Sequence, residues 1–301
     1  MKKLANIDLK LLQLFDEICK TRNLSRAAEN LNLTQPAVSL ALGRLRQHFG
    51  DPLFVRVGGK MVPTPIAEQL HELVANAIAL LEATMAYQPR FDPASDARLF
   101  RIAMTDVGQI VVLPHILNTF RDIAPHIQVD VITITNEIAD QLQHGDVDLA
   151  LGFVPDLDGR YVQQKLFEDG FACLVREDHP RVKEALTVRS FQDEEHVIVK
   201  TSGTGHLIIE HNLQQQGLKR KVGVQVPNFI GVATVVGSSN LIATLPGRAA
   251  KLLARAHGVR VMKLPVDMPS YHVRQSWHER MQHDPAHKWL RKTVAEIFGS
   301  N

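Results

Sequence analysis

The side chains with the clearest capacity for chemistry lie in one short segment, residues 25–39, and just beyond it. Ala27 and Ala28 are small enough for two helices to approach closely there, with leucines and a valine to hold the corner. The side chains considered as outward-facing contacts are Ser25, Arg26, Thr34, Gln35, Pro36, Ser39, Arg44 and Arg46. Amide, hydroxyl and guanidinium groups hydrogen bond to base edges and phosphate oxygens. The segment therefore predicts a helix-turn-helix that binds DNA, with a purely structural helical corner as the alternative.

Basic charge is concentrated in the same part of the chain. Residues 1–62 carry ten Lys/Arg and five Asp/Glu, a net charge of +5, whereas the whole chain has a net charge of +2. A basic segment joined to a mildly acidic remainder indicates a polyanionic partner for the basic part. Arg56 and Lys60 flank the turn of a predicted hairpin, which would place them as a wing against the phosphates.

Length and composition indicate about two domains in a globular chain. The chain has 301 residues, of which 45% are hydrophobic and 22% are charged, and these values are ordinary for a soluble protein. They argue against a largely disordered, collagen-like or membrane-embedded chain. Two cysteines, Cys19 and Cys173, exclude a disulfide framework and a four-cysteine zinc site.

The sequence predicts a cytoplasmic protein with no membrane partner. Charged residues at Asp8, Lys10, Asp16 and Glu17 interrupt any apolar segment that could follow the N-terminal lysines, which argues against a signal peptide. Residues 222–247 carry no charge, but prolines and glycines divide them into elements that are each too short to span a bilayer.

Helical spacing of apolar residues predicts three short helices before the hairpin. The first begins near Leu9, the second is capped by Asn23, and the third is capped by Thr34 with Pro36 in its first turn. Residues 63–88 then predict one long helix with Thr64 as its cap. Its apolar stripe consists of Ile66, Leu70, Leu73, Ala77 and Leu81. Such a stripe needs a partner, which is either the rest of the same chain or the same helix of a second copy.

Strands and helices alternate after a polar linker at residues 89–98. The predicted strands are 99–104, 128–135, 147–152, 170–176, 196–199, 221–226, 241–245, 258–264 and 270–277. The predicted helices are 108–123, 137–144, 205–216, 229–237, 247–256 and 285–298. This alternation predicts an α/β fold with parallel strand pairing.

Three junctions between a strand and the following helix offer positions for a small ligand, because ligands bind beyond the carboxyl ends of parallel strands. The junction residues are Thr105, Gly108, Thr204, His206 and Arg248. Apolar walls are expected from Pro227, Phe229 and Trp277.

Arg248 has the most informative position of these residues, since a cation in the first turn of a helix opposes the helix dipole. An anionic ligand beside it explains this position, and so does a salt bridge to an Asp or Glu; the sequence leaves both open. Together with the aromatic walls, the first explanation predicts an aromatic carboxylate, similar to salicylate or benzoate, as a small-molecule effector. No cofactor is expected.

Signals for catalysis and metal binding are poor. His278 and His283 are one residue too far apart for the helical zinc motif. Residues 58–61 lack both the upstream glycine and the Ser/Thr of a phosphate loop, and no Gly-x-Ser-x-Gly sequence occurs. We therefore predict no catalytic residues, no metal site and no enzymatic activity.

The order of these motifs resembles the LysR-type transcriptional regulators. The matching features near the N-terminus are Asp8-Leu9, Ser25-x-Ala27-Ala28-x-x-Leu31-x-Leu33-Thr34-Gln35-Pro36-Ala37-Val38-Ser39, Phe49-Gly50-Asp51-Pro52-Leu53-Phe54-x-Arg56 and Thr64-Pro65. Those further along are Gly145-Asp146-Val147-Asp148-Leu149-Ala150-Leu151-Gly152, Asp178-His179-Pro180 and Ile242-Ala243-Thr244-Leu245-Pro246. The resemblance therefore covers essentially the whole chain. Residues 103–106, 203–206 and 277–278 are most similar to the subgroup that controls naphthalene, salicylate and nitrotoluene catabolism and nodulation.

The resemblance implies a domain order. It comprises a winged helix-turn-helix at 1–62, a linker helix for dimerisation at 63–88, a linker at 89–98 and an effector-binding domain at 99–301. The effector-binding domain is expected to resemble a periplasmic binding protein, with a small molecule between two α/β lobes. Lobe I would comprise about 99–168 and 268–301, and lobe II about 169–267.

The resemblance also implies partners: a double-stranded DNA operator, a small aromatic effector, a second copy in a homodimer or homotetramer, and RNA polymerase if the protein is an activator. One departure is Leu40, where many members carry a polar residue, so base preference does not transfer. The alternative function is a cytosolic small-molecule binding protein of transport type with an incidental helix-turn-helix corner, which a gel shift with promoter DNA would distinguish.

Overall fold

The computed structural model describes residues 7–154, 157, 159–200, 205–255 and 258–299. The chain divides into two compact units, Met1–Gln88 and Pro89–Asn301. The elements of the first unit are α1 (Leu9–Thr21), α2 (Leu24–Asn30), α3 (Gln35–Phe49), β1 (Phe54–Val57), β2 (Lys60–Pro63) and α4 (Pro65–Met85).

Side-chain caps fix where these helices begin. The Asn23 side chain accepts from the backbone N–H groups of Ser25 and Arg26 at the start of α2. Thr34 and Thr64 cap α3 and α4, as the sequence predicts, by accepting from N–H groups three residues on. Each cap satisfies an N–H group that has no partner inside its helix.

The core of the first unit forms where α1, α2 and α3 meet. Leu14 and Ile18 of α1 and Ala27 of α2 are completely buried, and Val38 and Leu45 of α3 pack into the same cluster. Because Ala27 has no side chain beyond Cβ, α2 can approach its neighbours closely, so the small residues of the segment do set the helical corner.

The second unit contains two lobes, each built on a five-stranded sheet. Lobe I has the strand order β4-β3-β5-β12-β6. Its elements are β3 (Arg98–Met104), α5 (Asp106–Val111), α6 (Leu113–Ile123), β4 (Ile127–Thr133), α7 (Ile138–His144), β5 (Leu149–Gly152), β6 (Tyr161–Asp169), β12 (Tyr271–His278) and α12 (Pro285–Gly299). Phe100 and Met104 of β3 and Leu290 of α12 are completely buried in its core.

Lobe II has the strand order β11-β7-β10-β8-β9. Its elements are β7 (Phe171–Arg176), α8 (Val188–Asp193), β8 (Glu195–Val199), α9 (Gly205–Gln215), β9 (Lys221–Val226), α10 (Val232–Gly237), β10 (Ile242–Pro246), α11 (Gly247–Ala254) and β11 (Val259–Met262). The chain passes between the lobes from β6 to β7 and again between β11 and β12.

The structure differs from the predicted elements in three places and from the predicted parallel pairing in part. Strand β6 and helix α8 were not predicted, and the single helix expected at 108–123 is divided into α5 and α6. Pairing is mixed rather than parallel, because β12 runs antiparallel to β5 and β6, and β7 runs antiparallel to β10 and β11. Polar residues Gln163, Gln164 and Lys165 interrupt the apolar alternation that would have indicated β6.

Candidate functional site

Helix α3 presents one apolar face to the core and one polar face to solvent. Val38, Leu42 and Leu45 are at most 2% exposed, whereas Gln35, Ser39 and the other predicted contacts on α3 are exposed. This is the arrangement required of a recognition helix, whose outward side chains enter the major groove while its inward side chains hold it to the domain.

The turn before α3 and the hairpin after it complete this surface. Asn32 adopts a positive φ of 55° in the turn, a conformation that asparagine tolerates better than most residues. Arg56 pairs with Met61 in the hairpin, and both Arg56 and Lys60 are exposed. The hairpin thus presents two cations to solvent, as a wing contacting phosphates requires.

Arg46 also has a role within its own domain that the sequence did not predict. Its Nε donates to the Pro52 carbonyl at 2.7 Å and a terminal nitrogen donates to the Phe54 carbonyl at 3.0 Å. The guanidinium therefore joins the last turn of α3 to the start of the hairpin. These hydrogen bonds make Arg46 a support for the wing, and because the residue is also exposed, its contact with DNA stays a prediction.

Helix α4 has two apolar faces. One face packs on its own unit, where Ala67, Val74 and Ile78 are buried and His71 Nε2 lies 3.0 Å from Asp16 Oδ1. The other face is the α4 stripe, which we define as Ile66, Leu73, Ala77, Leu80 and Leu81; all five are exposed, with Leu73 at 67%. Leu70, predicted to belong to the stripe, is half-buried against the unit's own core. The first face therefore packs against the same chain, and the α4 stripe is the surface that the same helix of a second copy would contact.

A cavity of about 60 Å³ lies between the two lobes. Its lining residues are Thr105, Asp106, Val107, Gly108, Val111, Val112, Leu151, Gly152, Phe153, Phe167, Asp169, Phe229, Pro246, Tyr271 and Val273. Thr105 Oγ1 caps α5 by accepting from Gly108 N–H at 3.4 Å. A Cβ at residue 108 would lie 2.9 Å from Met104 Cβ, so glycine permits α5 to approach β3. Most of the residues that line the cavity are apolar or aromatic.

A hydrogen bond across the cavity joins the lobes. The Phe229 backbone N–H of lobe II donates to the Asp106 carboxylate at the start of α5 in lobe I. The Phe229 ring is only 4% exposed and forms part of the cavity wall. A charge-assisted bond of this kind holds the cleft closed in the described conformation.

Asp169 supplies the anion at the start of α11. Its carboxylate accepts from the Gly170 N–H at 2.9 Å and from the Arg248 N–H at 3.3 Å. Burial raises the pKa of Asp169, while these amides and the Arg248 charge act in the opposite direction. Burial and the neighbouring Asp169 charge also raise the pKa of the Tyr271 hydroxyl. Part of the position of Arg248 is therefore explained by an acidic residue of the chain itself.

The Arg248 guanidinium nevertheless forms no side-chain hydrogen bond or ion pair with any residue that the structure describes. It lies over the Phe167 ring at 4.2 Å from the ring centroid, and Phe167 lines the cavity. Arg248 is half-buried. Its donors are therefore available directly behind the cavity wall.

Two predicted wall residues lie elsewhere. Trp277 is buried in the lobe I core, where its indole N–H donates to Gln282 at 2.9 Å and Arg291 lies over its ring. Pro227 is exposed and does not line the cavity. Neither residue lines the cavity: Trp277 lies on β12, whose register the sequence did not fix, and Pro227 follows the end of β9. Thr204 and the side chain of His206 lie outside the described residues.

Sequence reasoning missed the functional positions of Asp106 and Asp169. Asp106 begins α5 just after β3, where an acidic residue was the available signal, whereas Asp169 ends β6, a strand that the sequence did not reveal. Their partners Phe229 and Arg248 are far away in sequence, so only the folded chain brings them together.

Groups that could hold a metal ion are absent from the ranges described. Over those same ranges, none of the helices is both long enough and apolar enough to cross a bilayer.

Two family models match nearly the whole chain. Residues 9–68 match the "Bacterial regulatory helix-turn-helix protein, lysR family". Residues 93–299 match the "LysR substrate binding domain".

Characterised relatives match over the same extent. The chain is 36% identical over 296 residues to the HTH-type transcriptional activator NagR of a Ralstonia species, covering 98% of both chains. It is 36% identical to the HTH-type transcriptional activator NahR of Pseudomonas putida, covering 98% of this chain and 99% of that one. It is 31% identical to Nodulation protein D 2 of Rhizobium tropici, over 98% and 94% of the two chains.

A solved structure also matches. The probable transcriptional regulator PA0477 from Pseudomonas aeruginosa superposes with a TM-score of 0.63 at 34% identity, covering 99% of this chain and 98% of that one. These matches confirm the predicted class, a transcriptional regulator with a helix-turn-helix domain and an effector-binding domain.

Proposed function

Because the chain belongs to the LysR family of DNA-binding transcriptional regulators and carries that family's effector-binding domain, we propose that it binds its operator as a dimer and responds to a small aromatic carboxylate held between its lobes. The DNA contacts are assigned to α3 and the hairpin, dimerisation to the α4 stripe, and effector binding to the inter-lobe cavity. A regulator of bacterial transcription acts where the chromosome lies, so we propose a cytoplasmic location. If the protein is an activator, RNA polymerase is a further partner.

The observation that carries the effector class is the position of Arg248 behind an aromatic wall. Phe153, Phe167, Phe229 and Tyr271 supply the flat apolar surface that an aromatic ring requires. Within the described ranges, the lining residues include two carboxylates and no cation, so an anionic ligand needs a nearby positive charge. Arg248 has that charge beside Phe167, and a guanidinium binds a carboxylate in a two-pronged geometry.

The cavity must enlarge before a ring can enter. Its volume is about 60 Å³, whereas a dry protein cavity that binds benzene measures about 150 Å³. The bond between Asp106 and the Phe229 N–H joins the two walls, and Ala249 of α11 packs in the lobe I core, so separation of the lobes requires both contacts to break. The described conformation therefore corresponds to a closed cleft, and effector binding is expected to stabilise a wider one.

We expect Arg248→Ala to weaken benzoate or salicylate binding by about 10- to 150-fold, because one charge-assisted hydrogen bond contributes roughly 1.5–3 kcal/mol. Benzamide has nearly the shape of benzoate but no charge, so its affinity should be the same in both proteins. Isothermal titration calorimetry on the full-length chain measures both ligands.

Lys251→Ala is the matched control for Arg248→Ala, since Lys251 is an exposed cation further along α11. It should leave the affinity for benzoate unchanged. An equal loss for benzoate and benzamide in Arg248→Ala would assign the effect to packing on Phe167 and contradict the charge contact. Failure of the wild-type protein to bind any aromatic carboxylate would contradict the effector class.

The DNA contacts predict two different losses. Gln35 is exposed at the start of α3, and a bidentate amide contact discriminates a base by about 1–3 kcal/mol. Gln35→Ala should therefore lower the ratio of operator to random-DNA affinity by about 5- to 150-fold. Arg56→Ala should weaken both DNAs about equally and reduce the dependence of affinity on salt.

Fluorescence anisotropy at three salt concentrations, with operator and scrambled duplexes, separates these effects. An unchanged specificity ratio in Gln35→Ala, together with a changed ratio in Arg56→Ala, would reverse the two assignments.

A further inference from the structure

We propose that Leu40 contacts the 5-methyl group of a pyrimidine, that of thymine in unmodified DNA, and thereby selects part of the operator sequence. This inference rests on the proposed binding of α3 in the major groove. It assigns a base-selecting role to an apolar side chain that neither the fold nor the hydrogen-bonding residues of α3 require.

The packing of the described part of the domain does not explain why Leu40 is exposed. Its exposure is 73%, whereas Val38 and Leu42 on either side of it are at most 2% exposed. The side chains of α3 that pack into the core of the first unit therefore lie on the face opposite Leu40. Single exposed leucines are common on protein surfaces, so the exposure of Leu40 indicates a function only in combination with its location.

Its location is the amino-terminal half of the recognition helix. Leu40 follows Ser39 directly and lies one helical turn after Pro36, and both neighbours are exposed. Side chains at this end of a recognition helix are the ones that contact base edges. Pro36 and Leu40 are four residues apart, so they adjoin on the helix surface and form a small apolar patch between polar neighbours.

Positions 43 and 44 form the surface on the carboxyl-terminal side of the patch. Position 43, the next on this face, is glycine, and a Cβ placed there would have no atom within 4 Å. Arg44 lies beside it on the exposed surface. Leu40 therefore lies on an exposed face between Pro36 and Arg44, and the positive charge of Arg44 suits this face to DNA.

The major groove has one apolar group for such a side chain to contact. Among the four base pairs, the edges present nitrogen and oxygen donors and acceptors together with the thymine 5-methyl group. Leucine can make no hydrogen bond, so against any other base edge it would remove water from polar atoms without replacing it. Contact with a methyl group is the arrangement in which its burial is favourable. The same methyl occurs in 5-methylcytosine, which a separate duplex can distinguish.

The experiment begins with the full-length protein and a randomised duplex library, from which binding sequences are selected. Each thymine of the selected duplex is then replaced by deoxyuridine, which removes only the 5-methyl group, and affinity is measured by anisotropy. Burying one methyl corresponds to about a fourfold change in affinity. We therefore expect a loss of about fourfold at one thymine per half-site, and about 15-fold when both half-sites are substituted.

Variants of residue 40 assign the effect to this side chain. Leu40→Ala should bind thymine and deoxyuridine duplexes equally, and since the position is exposed and alanine favours helix, α3 should remain folded. Leu40→Met keeps an apolar side chain and should keep the preference for the methyl group. Replacing the selected thymine by cytosine and then by 5-methylcytosine should restore about fourfold in the wild-type protein and nothing in Leu40→Ala.

Equal wild-type affinity for every deoxyuridine duplex would overturn the proposal. So would a preference for the methyl group that persists unchanged in Leu40→Ala, because another residue would then make the contact. Selection of no enriched sequence would instead contradict sequence-specific binding by α3, and the role of Leu40 would fall with it.

Discussion

Leu73→Glu should convert the protein into a monomer whose operator affinity is lower by about 100-fold or more. Leu73 is 67% exposed in the middle of the α4 stripe, so the substitution leaves the core of its own unit unchanged. In a paired stripe, however, two like charges would face each other without water. A dimer that binds two half-sites gains about 10²- to 10⁴-fold over a single domain, and this gain is lost with the dimer. Sedimentation velocity and anisotropy with operator DNA measure the two effects.

Ala79→Glu is the matched control, because residue 79 is exposed on α4 but lies outside the stripe. It adds the same charge to the same helix and should leave both the dimer and DNA binding intact. If Leu73→Glu remained a dimer with wild-type operator affinity, dimerisation would have to be assigned to a surface other than the α4 stripe.

Acidification from pH 7 to pH 4.5 should lower the free energy of unfolding by about 2–3 kcal/mol through His196 alone. His196 is completely buried, and its Nε2 hydrogen bonds to the Phe191 carbonyl at 2.6 Å. Burial lowers its pKa from 6.5 to about 4, and Arg220 contributes in the same direction. The neutral ring therefore persists in the folded state over a pH range where the unfolded chain binds a proton.

The direction of the change in the free energy of unfolding follows from that difference in proton binding. Above pH 6.5 the ring is neutral in both states and the full stabilisation is present; as the pH falls towards 4, the unfolded state is increasingly favoured. Burial lowers the pKa of His287 as well, so the wild-type slope contains more than one histidine.

His196→Gln isolates the contribution of residue 196. Glutamine can still donate to the Phe191 carbonyl but does not titrate, so the variant should lose about 2–3 kcal/mol less than the wild type over this pH range. Urea unfolding of the effector-binding unit at several pH values gives the comparison. Parallel pH profiles for the two proteins would show that His196 does not titrate with a lowered pKa.

The DNA-binding unit was predictable because its signals are local. The caps at Thr34 and Thr64 and the spacing of Val38, Leu42 and Leu45 depend on neighbours within a few residues. The effector-binding unit depends more on contacts that are distant in sequence. Polar residues along β6 hid a strand that the completed sheet stabilises through its long pairing with β12.

The cleft shows the same limit at the level of single residues. Thr105, Gly108 and Phe229 line one cavity, although Thr105 and Gly108 follow a strand of the lobe I sheet and Phe229 follows a strand of the lobe II sheet. The bond from Phe229 to Asp106, and that from Arg248 to Asp169, connect residues whose proximity no local pattern encodes. For Arg46, exposure was predicted, but the carbonyl groups that its guanidinium reaches were not.

We propose that this chain binds DNA sequence-specifically and that its cleft responds to an aromatic carboxylate. The most direct test is an anisotropy titration of the full-length protein with its selected duplex and with a scrambled duplex at physiological salt, each with and without saturating benzoate or salicylate. We expect a preference of at least about 10³-fold for the selected duplex. Adding the carboxylate should change the affinity for that duplex, and the Arg248→Ala variant should need a higher carboxylate concentration for the same change. Equal affinity for both duplexes, unaltered by any aromatic carboxylate, would contradict it.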